Sequence, residues 1–565
     1  MAGGKDSAEA PRPPRPSGAW LGKALVVGLW GVVSRLLGLA RDLGMAWLLG
    51  AGALADALVA ATVVPHALRK LLGDGVLSLP VTAEACGEEA RRTPFLARAT
   101  LAPVLPALGT AALGLTLAAL LLAPWLAGLL APGHGGEVLW RAEAASLLRL
   151  ASPYLGCAIL ASFAMGLLHA LGEFGRAALA PVCFNLCVLA FMGLAWRGQG
   201  QPAEMIALGI AAAGMVQAIL LWGFLWQAER RRFPQRILRA GGRTQEDERK
   251  ARALGTRLRA SLWTMPGVVL ASSSLQLAVL AAMASASLAG QGRMSALYFA
   301  DRLLELPVGV VGACMGIVSL PALSCSAKAG DLAGFEGSMR LALHAGLLFS
   351  LPAAAGLWAI APLLADILLG HGAFGQEGVA QTAQALRCLV PALPACILLR
   401  TLVAACHARG LDRLAWLGTV CCTLATLILG LAFPQLCGQG AALAGPLACT
   451  AALWAQCLAV AWLVFRSLRE RGAVPVPGAG QTAAFLRPGQ VARMALCGLA
   501  AGGAALGVQA LWQGSRGACL GLACLGGALA WLALLRLLCP REFRLACQRR
   551  AMRSQSSPSS ASSAT

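Results

Sequence analysis

The segment Ser34–Leu58, SRLLGLARDLGMAWLLGAGALADAL, decides how the chain is read. Most of it is Leu, Ala and Gly, yet it carries Arg35, Arg41, Asp42 and Asp56. Roughly 20 apolar residues in a row cover the hydrocarbon of a bilayer as a helix. A charge in such a run costs on the order of 3 kcal/mol, and residues that bear this cost face a bundle interior or a water-filled cavity. Arg35 and Asp42 are seven residues apart, two helical turns, and share a face with Gly38 between them. Arg41 falls off that stripe.

The rest of the chain is equally oily. Of 565 residues 58% are hydrophobic and 13% charged, and the mean hydropathy is +0.70; a soluble domain carries about 25% charged residues. Open sheets are excluded from lipid by their unpaired backbone, and the alternation of barrel strands is absent. The expected fold class is therefore an all-α polytopic membrane protein. The length criterion gives about 14 transmembrane helices: residues 24–49, 54–84, 96–130, 143–170, 177–196, 204–227, 261–289, 294–324, 338–364, 379–406, 412–433, 440–465, 488–512 and 517–538. Pro65 and Pro307 interrupt two of these blocks, where a kink or a surface-lying start is expected.

The formal net charge is +21. In a membrane protein this reads as topology rather than nucleic-acid binding, because Lys and Arg collect in cytoplasmic loops. Basic residues cluster before the first block, after the second, and between the sixth and seventh, where AERRRFPQRILRAGGRTQEDERKARALGTRLRA holds eleven of them from Arg230 to Arg259. They cluster again after the twelfth block and in the C-terminal tail. The connections near 50–54, 365–378 and 434–440 have none. Both termini are thus expected in the cytoplasm, in keeping with an even number of spans. The 19 cysteines lie mostly inside apolar blocks and read as small packing residues. No cleavable signal peptide is evident in the Pro-rich start.

Two stretches resemble each other. ADALVAATVVPHALRKLLGDGVLSLPVTA begins at Ala55 and ADRLLELPVGVVGACMGIVSLPALS at Ala300. Each has Ala-Asp, a proline, and a Gly-(Val/Ile)-(Leu/Val)-Ser-Leu-Pro block, Gly75–Pro80 and Gly316–Pro321. Two related halves with the substrate between them are a common transporter plan. The expected organisation is a disordered tail (1–20), a first six-span lobe (21–228), a basic linker (229–260), a second six-span lobe (261–466), a cytoplasmic loop (467–487), two further spans (488–540) and a cytoplasmic tail (541–565). In the second half Asp301, Arg302 and Glu305 are helical neighbours. Guanidinium forks match phosphate and carboxylate and keep their charge in any surroundings. Read from the residues alone, this is a transporter of an amphipathic anion.

The blocks SRLLGLARDLGMAWLLGAGALADAL, VPHALRKLLGDGVLSLPVTAE and YFADRLLELPVGVVGACMGIVSLPALS resemble the signature blocks of the MurJ/MviN lipid II flippases, in the MATE-like multidrug/oligosaccharidyl-lipid/polysaccharide exporter superfamily. The resemblance covers nearly the whole chain. It implies two pseudo-symmetric six-helix lobes about a cationic cavity, with the last two spans forming a groove for the undecaprenyl tail. It implies translocation of undecaprenyl-diphosphate-linked peptidoglycan precursor from the cytoplasmic to the periplasmic leaflet of the bacterial inner membrane by alternating access. Carried over position by position, the family's cavity arginines fall on Arg35, Arg41, Arg69 and Arg302, and its carboxylates on Asp42, Asp56 and Asp301, with Glu305 beside them. Arg69 and Arg302 are the first choices for diphosphate contact, and Asp56 for a gating ion pair across the lobes. Lipid II, membrane lipids and the cell-wall synthesis machinery are the partners implied.

Some members bind sodium between the seventh and eleventh spans. Here SLQLAVLAAMASAS keeps Gln276 but has Ala282 where an Asn or Asp is common, and ARGLDRLAWLG keeps Asp412 but lacks the following Thr-Pro. No cofactor is expected, and coupling to sodium, a proton or the membrane potential stays open. An enzyme reading is weak, since the six histidines are scattered and no Walker-type loop is present. Export of another lipid-linked oligosaccharide, or of drugs, is the alternative within the superfamily; cationic drugs would favour carboxylates over arginines. A scaffold recruiting partners through the basic linker leaves Arg35 and Arg69 unexplained.

Overall fold

The structure, a computed structural model, describes residues 18–73, 98–134, 136–232, 245–271, 273–328, 331–437, 441–470, 488–512 and 514–540. Every long apolar block within them is helical. The first group comprises α1 (Gly18–Leu49), α2 (Ala53–Gly73), α3 (Leu105–Leu121), α4 (Ala123–Leu130), α5 (Val138–Ala151), α6 (Pro153–Ala170), α7 (Ala180–Trp196) and α8 (Pro202–Arg232). The second comprises α9 (Gln245–Ala271), α10 (Ser274–Ala286), α11 (Arg293–Lys328), α12 (Leu332–Leu369), α13 (Gln376–Leu389), α14 (Ala392–Ala408), α15 (Asp412–Cys437) and α16 (Ala441–Glu470). Then come α17 (Pro488–Leu511) and α18 (Arg516–Leu538).

Prolines open several of these helices. Pro106, Pro124, Pro153 and Pro181 stand in first turns, where a missing N–H costs nothing. Where Pro124 follows an apolar run, the chain bends by 74° between α3 and α4, because the residues before a proline avoid the helical region. A 46° bend separates α13 from α14, beside Pro391. Both blocks read as single straight spans in the sequence. Conversely, α2 and α11 run on through Pro65 and Pro307, so those prolines do not end a helix.

Among the described residues eight helices are long and apolar enough to cross a membrane, or ten counting each bent pair as one span, with Ala53–Val63 and Ser274–Ala289 shorter. The count of 14 is therefore not reached by this criterion. The linker expected at 229–260 is helical from residue 245 onward and continues into the seventh apolar block. The block expected at 261–289 is split between α9 and α10.

Helices α5 to α8 pack together with α1 and α2, and α10 to α16 form a second set. The pair α17–α18 leans on α12. Small residues set these distances, as between helices in lipid. A Cβ on Gly214 would lie 2.6 Å from the Tyr154 ring, and one on Gly502 2.9 Å from the Ala355 carbonyl. Large apolar side chains such as Leu499, Leu529 and Trp462 face outward, the arrangement that lipid favours. Residues 1–17, 471–487 and 541–565 and the Gly75–Pro80 block lie outside the described residues.

The candidate substrate site and the seam between the lobes

Helix α11 carries the second copy of the Ala-Asp motif, as α2 carries the first. The matching Ala-Asp pairs sit at different depths. Asp56 stands in the first turn of α2, whereas Asp301 is eight residues into α11. The two carboxylates consequently do different things.

At one end of the molecule the basic-free connections meet. The Ala373 N–H donates to the Trp47 carbonyl at 2.9 Å, and the Gly133 N–H donates to Ser287 Oγ at 3.0 Å. The Asp56 carboxylate accepts from the Gly292 N–H at 2.6 Å and the Ser295 N–H at 2.7 Å. These are orphan amides at the start of α11, which need an acceptor and carry the positive end of the helix dipole. Asp56 is fully buried. Beside it His134 stacks on Trp140 with centroids 4.4 Å apart, its Nε2 3.6 Å from Asp56 Oδ2 and its Nδ1 3.4 Å from Glu137. Asp56 holds this imidazole above its usual range, against the opposing effect of burial. The backbones nearly touch here: a Cβ on Gly133 would lie 2.0 Å from the Ser287 carbonyl oxygen. Gly292, at φ +80, approaches Ala51.

In the interior a different network crosses the seam. Arg41 folds back on its neighbour, donating from Nε and Nη2 to Asp42 Oδ1 at 3.0 and 2.7 Å. Its Nη1 donates to Asn185 Oδ1 at 3.1 Å, and Asn185 Nδ2 donates to the Ser34 carbonyl at 2.9 Å. The Tyr298 hydroxyl of α11 donates to the same Asp42 Oδ1 at 3.4 Å. The Arg302 guanidinium lies 4.7 Å over the Tyr298 ring. Its Nη2 meets Asp301 Oδ2 at 3.3 Å and its Nη1 meets Glu305 Oε2 at 2.8 Å. Arg302 Nε is buried with no hydrogen-bond partner among the described residues. Arg41 and Arg302 therefore approach one shared carboxylate and one shared tyrosine from two lobes.

Arg35 reaches α11 a few turns further on, donating from Nη2 to the Gly309 carbonyl at 3.2 Å. Arg35 and Asp42 both turn to α11, as their shared face requires, and Arg41 joins them by curling onto Asp42. Arg69 lies in α2, and its side chain is outside the described part. Asn185, Tyr298 and His134 were missed as site residues. Tyr298 had a sequence signal, since it precedes Ala-Asp-Arg by two positions and is one of only two tyrosines. Asn185 had one too, as a lone amide in an apolar run.

Of the positions considered for sodium, the Asp412 side chain lies outside the described residues. Ser274 Oγ and Thr419 Oγ1 are 2.7 Å apart, and Gln456 Nε2 donates to Ser274 Oγ at 2.8 Å. Gln276 lies about 200° around the helix from Ser274, and Asp412 two turns before Thr419. Ala282 is buried where a Cβ on Gly445 would lie 2.5 Å from its carbonyl oxygen. The cluster is neutral and largely hydrogen-bonded to itself, with Gln456 Oε1 the one oxygen in it without a partner. Among the described residues no group of three or more His, Cys, Asp or Glu could hold a metal ion. The Ser274–Thr419–Gln456 set by itself does not fit a hard cation, which is held by several oxygens turned on one point.

A family model described as "Lipid II flippase MurJ" matches residues 45–520. The "Probable lipid II flippase MurJ" of Rhizobium meliloti (strain 1021) is 29% identical over 425 residues, covering 73% of this chain and 75% of that protein. Among solved structures, "Lipid II flippase MurJ, inward closed conformation" superposes with a TM-score of 0.67 at 19% identity, over 94% of this chain and all of that one. An inward-facing multidrug MATE transporter superposes with a TM-score of 0.58 at 14% identity, over 78% of this chain and 96% of its own.

Proposed function

The chain belongs to the MurJ family of lipid II flippases, and from that premise we propose that its interior guanidiniums grip the diphosphate of lipid II while the lobes alternate about them. The chain is a multi-pass, all-helical membrane protein, and lipid II is its substrate. The carrying observation is that Arg41 and Arg302, buried and supplied by different lobes, meet around Asp42 and Tyr298. A guanidinium in low dielectric binds phosphate oxygens bidentately and cannot lose its proton. Arg35, near Gly309, and Arg69 extend the cationic surface. Asp42, Asp301 and Glu305 neutralise it between substrates. Asp56 holds the far end closed through the start of α11.

The basic segments set the orientation. Arg98 and the α9 arginines lie at the end opposite the Asp56 seam, so that end faces the cytoplasm, with both termini, and the seam closes the periplasmic side. The undecaprenyl tail runs along α17 and α18, whose outward Leu side chains match it. Contact with cell-wall synthesis enzymes is part of the same reading. A cationic-drug exporter is disfavoured, since guanidiniums repel its substrates.

The test is depletion of the protein in its host, with lipid II labelled from the periplasmic side. Lipid II is expected to accumulate on the cytoplasmic leaflet; an unchanged distribution between leaflets overturns the proposal.

A further inference from the structure

Two guanidiniums in the interior network, Arg41 and Arg302, face three carboxylates, Asp42, Asp301 and Glu305. Arg302 alone is thus paired with two carboxylates, Asp301 and Glu305. An arriving diphosphate meets arginines already occupied by anions, and a buried site cannot hold the surplus charge. One carboxylate has to leave.

Exposure singles out which one. The side chains of Asp42 and Asp301 are 9% and 5% exposed, and that of Glu305 is 27% exposed. Asp42 takes two hydrogen bonds from Arg41 and one from Tyr298. Asp301 is the most buried of the three, so turning it off Arg302 would strand its charge. Glu305 stands one turn on and has the longer, more flexible side chain. As the most exposed of the three it leaves Arg302 Nη1 at the least cost. Its departure frees Nη1 to donate to a phosphate oxygen, on a guanidinium whose Nε has no partner among the described residues.

We infer that Glu305 is a built-in counter-anion. It occupies Arg302 in the empty transporter, gives way to the lipid's diphosphate, and expels that diphosphate by returning to Arg302 once the lobes have switched. Glu305 is a positioning residue that sets how tightly the diphosphate is held and how fast it leaves. This inference rests on the assignment of lipid II as substrate.

The test uses full-length protein in nanodiscs and proteoliposomes, measuring binding of lipid II and of inorganic pyrophosphate, and flipping at saturating lipid II. In Glu305→Gln the charge is lost and the shape kept. Both ligands are expected to bind on the order of tenfold more tightly, and saturated turnover is expected to fall by a similar factor because release becomes limiting. A purely structural pair predicts the reverse: a loosened Arg302, weaker binding and a lower melting temperature. Weaker or unchanged pyrophosphate binding overturns the inference. Glu305→Asp keeps the charge one methylene short of Nη1 and is expected between wild type and Gln for both ligands; binding of both ligands no tighter than wild type in this variant also overturns it. If wild type fails to bind lipid II while still binding pyrophosphate, the substrate assignment fails and the exchange at Arg302 is read from pyrophosphate alone.

Discussion

Two carboxylate-centred contacts cross the same seam, and they are built from opposite materials. Around Asp42 and Arg302, charged side chains meet charged side chains. Around Asp56, a charged side chain meets backbone amides at the start of α11. Charge pairs between side chains can be exchanged for a ligand of the right charge, because the partners reorient without disturbing a helix. A carboxylate seated on a helix terminus can be released only by moving the helix. The first contact is suited to reading a substrate, and the second to holding a conformation.

The largest expected effect breaks the interior contact alone. Arg302→Ala leaves Asp301 and Glu305 without their cation, at a cost of about 3–5 kcal/mol for a stranded buried charge, and is expected to abolish flipping in proteoliposomes and complementation in cells. A cysteine cross-link between positions 47 and 373, which a backbone hydrogen bond joins across the same end, should still form in that variant. If the cross-link is lost as well, the two contacts are one unit.

An intermediate effect breaks the other contact. Gly133→Ala puts a methyl 2.0 Å from the Ser287 carbonyl oxygen, so the Asp56 end cannot close as it does here. Site-specific labelling at Trp47 and Ala373 should report greater separation, while pyrophosphate binding stays near wild type. Loss of both would dissolve the distinction.

The smallest effect sharpens the comparison through pH. His134 has a raised pKa because of Asp56. Its contribution is complete below its ordinary value of 6.5 and fades as pH rises through the raised value. Wild type should thus lose up to about 1 kcal/mol of stability on going from pH 6 to pH 9, read as a falling melting temperature. His134→Asn should show a flatter profile over the same range. An equally steep profile in that variant would remove His134 from the seam's energetics.

Much of this was legible in the sequence. Composition and block length specify the helical membrane class, and the charges inside Ser34–Leu58 mark the helix that meets α11. What stayed hidden depends on three-dimensional convergence. The partners of Asp56 are backbone amides, which every residue possesses and no sequence pattern announces. His134 is one of six scattered histidines, distinguished only by the approach of Trp140 and Asp56. The bend before Pro124 lies where apolar composition is uninterrupted, whereas Pro65 and Pro307, the more obvious breaks, leave their helices continuous because tertiary packing outweighs one missing hydrogen bond.

Helix α11 is one continuous rod of 36 residues. Gly292, just ahead of it, and Ser295 meet Asp56; Tyr298 and Arg302 meet the interior network; Gly309 meets Arg35. A rigid bar with three such bearings behaves as a lever whose fulcrum is Arg302. A tilt of about 10° there swings Gly292, some 15 Å away, by about 2.6 Å, and Gly309, some 10 Å away, by about 1.8 Å the opposite way. That travel is as long as the hydrogen bonds to Asp56, so unlatching one side presses the other shut with no separate signal between them.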